Sequence, residues 1–412
     1  MKSNYKALGS YIREVSQINS DLSVGYLRGI SSVHKSFIKS KANIVGVDFL
    51  DYKIVRKNQF AFNPNTARMG DRIPIALNDS EDCIVSKIYP VFEVLDEDIL
   101  LPEYLMLWFR RPEFDRYARF KSHGSAREIF DWDQMCNVTL PIPSIETQKE
   151  VVREFNAVNS KLNLNLNLID TYEEAAQAIY KRWFIDFDFP NENGSPYKSS
   201  GGIMVSTDVG DIPESWKLGN LGEVLASKGY IRGPFGSALK KEDMINSGLP
   251  VYEQQHAIDD HRDFRYFIST EKHKALNRFT VRPKDFVISC SGTLGKIIMI
   301  KESDPIGVIN QALLILRVDP SKFEPICLKY FLTSASGNQL LIENSSGSAQ
   351  LNIAKREVIQ AIPIVIPTPD EQRKVADYLF KCEQSIELLK SENRLLLELQ
   401  GILLSKIATI GN

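Results

Sequence analysis

The sequence predicts an α+β protein: two similar α+β units, each followed by a long helix, with the two helices pairing as a coiled coil. Three observations predict it. Segments recur at an interval of more than 200 residues, and each copy closes on a heptad pattern of apolar residues. Between them lie short β-rich runs, such as "KDFVISC", "KIIMI" and "ALLILRV", broken by Gly, Pro and Asp turns.

The repeat comes first, because it sets the organisation of everything else. "PSIETQKEVV" from Pro143 is matched by "PTPDEQRKVA" from Pro367, so that Gln372 follows Gln148 by 224 residues. Upstream, "HGSA" at His123–Ala126 matches "SGSA" at Ser346–Ala349 at an interval of 223. "GYLRG" (Gly25–Gly29) recurs as "GYIRG" (Gly229–Gly233), and "YKIVRKNQFAF" has the pattern of "NRFTVRPKDFVI". An interval this long marks a duplicated domain-plus-helix module and not a solenoid. Shorter helical patterns, "LPEYLMLWFRR" and "EPICLKYFLTS", sit inside the units. The expected order is a first unit over 1–143, a helix over 144–185, a linker over 186–210, a second unit over 211–366 and a second helix over 367–412. The linker region, "FDFPNENGSPYKSSGGIMVSTDVGDIPESW", is rich in Pro, Gly, Ser and Asn and reads as an irregular connector outside the packed core.

The second helix has the clearer start. Thr368 with Glu371 makes a capping box, and Pro369 takes the first helical position, where its missing N–H costs nothing. Beyond it Val375, Leu379, Cys382, Ile386, Leu389, Asn393, Leu396, Gln400, Leu403 and Ile407 alternate steps of four and three. Subtracting 224 gives Val151, Phe155, Val158, Leu162, Asn165, Ile169, Tyr172, Ala176, Ile179 and Trp183, the same seam in the same register. Two long seams on one chain predict a mutual coiled coil. Rods of 35–40 residues would be about 50–60 Å long. The stretch "KLNLNLNLID" (Lys161–Asp170) alternates like a strand, yet it reads as helix. Leu162, Leu166 and Ile169 fall at i, i+4 and i+7, Leu164 and Leu168 form a second stripe, and Asn163 and Asn167 face solvent. Asn165 then lands on the seam, where a buried asparagine can fix register or orientation.

Composition excludes some functions. Hydrophobic residues at 43% and charged residues at 25% are ordinary for a globular protein. No apolar run approaches the roughly 20 residues of a membrane span, and the N-terminus does not read as a signal peptide. Cys83, Cys136, Cys290, Cys327 and Cys382 are scattered, odd in number and not spaced as metal pairs, which predicts a reducing cytoplasm without disulfides or zinc. The net charge of −2 leaves no global basic footprint, and residues 1–144 and 206–366 each carry 19 basic and 18 acidic side chains. Any polyanion surface must be local.

Catalytic patterns are weak throughout. "SGTLGK" (Ser291–Lys296) has glycine spacing too short for a phosphate loop, with Ile297 where a magnesium-holding hydroxyl should stand. The acids of "PDEQRK" (Pro369–Lys374) are explained by a helix N-terminus. The five histidines make no metal pair, and no GxSxG, GxGxxG or amino-methyltransferase motif occurs. The chain is expected to be no enzyme by itself. What remains is binding chemistry. "YIRGPFGSALKK" (Tyr230–Lys241) holds cations around Phe235, and "YEQQHAIDDHR" (Tyr252–Arg262) holds the amides Gln254 and Gln255, side chains suited to adenine edges. The first unit offers "GYLRGISSVHKSFIKSK", "NTARMGDR" and "RYARFKSHGSAR".

The order of these features resembles the specificity (S) subunit of type I restriction–modification systems, over the whole chain. The stretches similar to that family are "GPFGSALKK", "RFTVRPKDFVISCSGTLGKI", "IPIVIPTPDEQRKVADYL" and the junction "PYKSSGGIMVSTDVGDIPESW". The resemblance implies two target recognition domains, each reading one half of a bipartite asymmetric site in double-stranded DNA. It further implies an antiparallel coiled coil that sets the spacer and docks two methyltransferase (M) subunits, with restriction (R) subunits joining the complex. S-adenosylmethionine, ATP and magnesium would then belong to the partners, and this chain would hold no cofactor or metal, lie in the cytoplasm and touch no membrane. Candidate DNA-binding residues in the first unit are Arg28, Lys35, Lys39, Arg68, Arg72, Lys121, Ser125 and Arg127. In the second they are Arg232, Phe235, Ser237, Lys240, Lys241, Gln254, Gln255, Thr293, Lys296, Ser348 and Gln350. The first unit departs most from the family pattern, with "NPNTARMGDRIPI" in place of the "SCSGTLGKIIM" type. The competing expectations are a non-DNA scaffold presenting two binding modules to protein partners, and a fused nuclease or methyltransferase.

Overall fold

The computed structural model describes residues 5–40, 48–65, 72–122, 128–343 and 355–410. Two compact units emerge, one of residues 1–166 with 390–412, the other of residues 167–389. Each long helix therefore contributes one half to each unit.

In the first unit the chain runs through β1 (Tyr5–Ala7), β2 (Ile12–Val15), β3 (Arg28–Ser31), β4 (Ser36–Lys39), β5 (Lys53–Val55), β6 (Phe60–Phe62), β7 (Ile75–Leu77), β8 (Cys83–Val85) and β9 (Val91–Val94). Then come α1 (Pro102–Arg110), α2 (Pro112–Lys121), α3 (Trp132–Cys136), β10 (Thr139–Pro141) and the long helix α4 (Ile145–Phe184). The central sheet has the order β2-β9-β6-β7, all antiparallel. Its inner face joins α1, α2 and α3 through Phe60, Phe62, Phe92, Phe109 and Phe130, with Phe155 of α4 and Ile407 closing the same core. Strands β3 and β4 form a separate hairpin.

The second unit holds β11 (Met204–Thr207), β12 (Gly210–Pro213), β13 (Lys217–Asn220), α5 (Leu221–Val224), β14 (Leu225–Arg232), β15 (Leu249–Tyr252), α6 (Gln254–Asp259), β16 (Phe267–Ile268) and α7 (Thr270–Ala275). It continues with β17 (Phe286–Ser289), β18 (Ile297–Met299), β19 (Val308–Ile309), β20 (Leu313–Val318), α8 (Pro325–Thr333), α9 (Ala335–Glu343), α10 (Arg356–Gln360), β21 (Pro363–Ile366) and α11 (Pro369–Lys406). Its sheet order, β14-β20-β17-β18, repeats that of the first unit strand for strand. The pair β13–β21 likewise repeats β1–β10.

This equivalence corrects one sequence match. "GYIRG" ends β14, whose counterpart is β2, whereas "GYLRG" leads into the β3–β4 hairpin, so Arg28 and Arg232 are not counterparts. The match of "QFAF" to "DFVI" is structural, since it falls on β6 and β17. The connector also differs from expectation. Phe189 stacks on Tyr197 at 4.7 Å and on Trp216 at 4.9 Å, and Phe187 and Phe189 belong to the buried core of the second unit. Its Pro and Gly spacing concealed aromatic residues that pack.

The two halves of the repeat are anchored alike. The buried Gln148 side chain accepts the Leu101 N–H at 2.9 Å and donates to the carbonyls of Ile99 at 2.8 Å and Pro143 at 2.9 Å. Gln372 accepts the Glu324 N–H at 2.8 Å and donates to Pro367 O at 2.9 Å. Each glutamine thus ties the start of its long helix to the N-cap of α1 or α8. The capping box is formed, with the Thr368 N–H donating to Glu371 at 3.0 Å and the Glu371 N–H to Thr368 Oγ1 at 3.4 Å.

"KLNLNLNLID" is helical throughout. Every predicted seam position from Val151 to Trp183 and from Val375 to Ile407 is buried or half-buried. Leu166 is not on the seam: it is exposed, as are Leu164, Asn163 and Asn167. Within the first unit the helix segments run antiparallel. Asn165 Nδ2 donates to Asn393 Oδ1 at 2.9 Å and to Glu392 at 2.8 Å, Lys161 pairs with Glu392 at 3.3 Å, and Gln400 reaches Asn159 at 3.4 Å. In the second unit Ala176, Tyr180 and Trp183 share a core with Val375, Ala376 and Leu379.

Replacing Gln148 or Gln372 by Ala leaves buried backbone groups unpaired, and each change is expected to cost about 1–3 kcal/mol. Urea denaturation of the two variants should show comparable losses, and a loss confined to one would break the equivalence of the anchors.

Candidate nucleic-acid interface

In the second unit the residues singled out in the sequence fall on the segment after β14, the start of α6 and the turn between β17 and β18. Strand β14 ends in Arg232, whose half-buried guanidinium leaves Nη1 without a partner among the described residues. The next residue, Gly233, runs so close to the β19–β20 connection that a Cβ there would lie 1.9 Å from the Asn310 carbonyl oxygen, so glycine is the one residue that fits. The chain then turns out to Phe235, which is 64% exposed, and to exposed Lys240 and Lys241. Asp243 accepts the Lys240 N–H at 2.7 Å and pairs with Lys272 at 2.8 Å, which holds the loop shape.

Beside this loop, α6 starts with Gln254 and Gln255. Both line a cavity of about 330 Å³ with Glu253, Ile258, Arg265 and Asn310. Gln254 Nε2 donates to the Ser291 carbonyl and its Oε1 accepts from Ser291 Oγ at 3.3 Å, so this amide positions the neighbouring turn. Gln255 is exposed and free to point outward. Arg265 is held by Glu253 through two bonds of 2.7 and 2.9 Å.

"SGTLGK" is the turn between β17 and β18. Gly292 and Gly295 take φ of +63° and +70°, and Ser289 Oγ donates to the Thr293 carbonyl at 2.6 Å while accepting the Lys296 N–H at 3.0 Å. These glycines shape a hairpin turn and carry Thr293 and Lys296 to the surface. Cys290 at its base is buried, and burial pushes its thiol up to about 12, so it is inert. His256 has both ring nitrogens engaged by backbone, with Nδ1 accepting the Glu253 N–H at 2.8 Å, and burial lowers its pKa.

In the first unit the cations behave differently from one another. Arg28 lies over the Tyr26 ring at 4.4 Å, Lys39 and Arg72 are exposed, and Lys121 sits half-buried near the Tyr117 and Phe120 rings. Lys35 corrects its sequence reading. At the β3–β4 turn its φ is +48°, and its side chain, 4% exposed, donates to the Phe109 carbonyl and pairs with Asp115 at 2.7 Å. Burial lowers its pKa and Asp115 opposes that shift. This ammonium ties the hairpin to α2 and is not offered to a ligand. Arg68, Ser125, Arg127, Ser348 and Gln350, with the "HGSA" and "SGSA" pair, lie outside the described residues, as does the side chain of Ser237.

The structure also brings forward residues that sequence reasoning passed over. A cavity of about 1300 Å³ in the first unit is lined by Lys35, Arg72, Arg110, Arg116, Arg119 and Asp115, among others. Arg116 and Arg119 stand inside "RYARFKSHGSAR" at helical i, i+3 spacing, a signal that was available. Arg110 comes from α1 and joins them through packing alone, its guanidinium over the Phe155 ring at 5.5 Å.

Comparison with known proteins is consistent with this geometry. The model of the family "Type I restriction modification DNA specificity domain" matches residues 213–398. The specificity subunit of the type I restriction enzyme HindI from Haemophilus influenzae is 32% identical over 113 residues, 27% of this chain and 24% of that subunit. The MjaVIII specificity subunit from Methanocaldococcus jannaschii is 20% identical over 72% of this chain and 68% of its own length. This chain thus spans about a quarter of the first relative in its match. The crystal structure of a type I restriction–modification S subunit from M. genitalium has the same fold, with a TM-score of 0.59 and 13% identity over 98% of this chain and 95% of that one.

On the DNA-binding expectation drawn from the sequence, substituting Phe235 by Ala, or Lys240 and Lys241 by Gln, should weaken duplex binding several-fold without moving the melting temperature, because these side chains are exposed. Lys35→Met should instead lower stability by about 3 kcal/mol by stranding Asp115. Parallel binding and melting measurements separate the two classes.

Proposed function

We propose that this chain belongs to the specificity-subunit family of type I restriction–modification systems and is the DNA-reading subunit of such a complex. The observation that carries this reading is the duplicated unit. The same four-stranded order occurs twice, and the family match at residues 213–398 falls on the second copy. Two similar but non-identical readers on one chain suit a bipartite asymmetric site, one half-site per unit.

In this reading each unit presents loops to the major groove. Exposed Gln255, and the turn that Gln254 supports, read base edges, while Arg72, Lys240, Lys241 and Lys296 set the register on phosphates. The paired helices fix the length of the unread spacer, and their exposed apolar side chains, Leu164, Leu166, Leu388, Leu395 and Leu397, offer docking surface to two methyltransferase subunits. Methyl transfer with S-adenosylmethionine, and cleavage with ATP and magnesium, belong to the methyltransferase and restriction subunits. Specificity subunits are themselves non-catalytic. Among the described residues no helix is long and apolar enough to cross a membrane. We place the complex in the cytoplasm, beside the DNA it reads.

The test is methylome sequencing of the host with and without this chain. The expected result is loss of one bipartite adenine-methylated motif. An unchanged methylome in a host whose methyltransferase partner is active contradicts the reading.

A further inference from the structure

We infer that the cavity beside α2 in the first unit is a clamp for the phosphodiester backbone of duplex DNA, and that the equivalent cavity in the second unit is not. The two halves of the chain would then hold DNA with unequal electrostatic force. The inference rests on the reading that the chain binds duplex DNA.

The first cavity concentrates cations. Arg72, Arg110, Arg116 and Arg119 line it, and its acid, Asp115, is already neutralised by the buried Lys35 and accepts the Ile73 N–H at 3.1 Å. Arg116 and Arg119 rise from exposed positions one helical turn apart, so their guanidinium groups face the same way. The pair of Arg116 with Glu113 at 3.0 Å is solvent-exposed and exchangeable for a phosphate, while Arg119 pairs with the half-buried Glu128 at 3.3 Å. Arg110 Nε is buried without a hydrogen-bond partner among the described residues, a donor held ready at the cavity wall. Phe120, 80% exposed, and Val33 also line the cavity and leave its mouth open.

The repeat supplies the control. Helices α1–α2 and α8–α9 align at the constant interval of 223, which pairs Pro102 with Pro325 at both helix starts. At that interval Arg110, Asp115, Arg116 and Arg119 become Thr333, Asn338, Gln339 and Ile342. Those four residues line a cavity of about 540 Å³ in the second unit, where Lys296 is the cation. The same place in the fold is therefore basic in one copy and nearly neutral in the other. Packing alone does not account for this, because Arg116 and Arg119 are exposed.

The difference is measurable as salt dependence. Each phosphate neutralised contributes about −0.9 to the slope of log affinity against log salt. The full chain, with any subunits that co-purify, is titrated with a duplex carrying the methylated motif and with a scrambled duplex. The doubly substituted R116Q/R119Q chain, altered at exposed positions that do not endanger folding, should lose about 1.8 from the slope. K296Q should lose no more than about 0.9, and T333R/Q339R should steepen the slope. Selective binding with an unchanged slope in R116Q/R119Q overturns the clamp while leaving DNA recognition intact. Displacement of duplex by inorganic phosphate at constant ionic strength also overturns it, in favour of a small-anion site. Wild-type chain without duplex selectivity overturns the functional reading and the clamp with it.

Discussion

A single buried amide pair, Asn165 with Asn393, holds the register of the two long helices on which both units are built. Most of the seam is apolar, with Gln400 as a further polar position, and non-directional apolar contacts discriminate between registers less sharply than a paired amide does. A slip would bury each amide against apolar neighbours, at about 1–3 kcal/mol per stranded group. Asn165 Oδ1 already lacks a partner among the described residues, so the pair is tolerated for its specificity and not for its strength. Lys161–Glu392 and Gln400–Asn159 flank the pair in the same antiparallel sense.

Duplication repeats the anchoring of the helices: Gln148 and Gln372 each fasten the start of a long helix to the N-cap of α1 or α8 within its own unit. In the four-stranded order the β6–β7 pair of the first unit matches the β17–β18 pair of the second. Variation is concentrated where the scaffold does not depend on it. The hairpin β3–β4 has no counterpart at "GYIRG", and the arginines of α1 and α2 become neutral residues in α8 and α9. The net charge of −2 does not prevent a local concentration of cations, as the cavity beside α2 shows.

Much of the fold was legible in the sequence because it depends on periodicity. The heptad seam, the Thr368–Glu371 box and the helical state of "KLNLNLNLID" follow from spacing alone, and the structure bears out each of them. The interface was less legible, because contacts between distant segments decide it. Lys35 sits in a basic, polar stretch and reads as a surface cation, yet a left-handed turn swings it onto Asp115. Arg110 reads as the end of an apolar helix and lines a basic cavity. The segment after Phe184 reads as a linker by its Pro and Gly content, while Phe187 and Phe189 pack into the second core. "GYLRG" matches "GYIRG" in letters but lies on a different strand pair, a coincidence that five residues cannot guard against.

The central claim is that this antiparallel register sets the distance between two half-sites on DNA. The most direct measurement inserts one heptad into each helix beside the Asn165–Asn393 layer and reads the methylated motif in the host genome. Seven residues lengthen a helix by about 10.5 Å, which is about three base pairs of duplex. The account predicts the same two half-sites with a spacer longer by about three base pairs. An unchanged spacer in a complex that still assembles and methylates would contradict it.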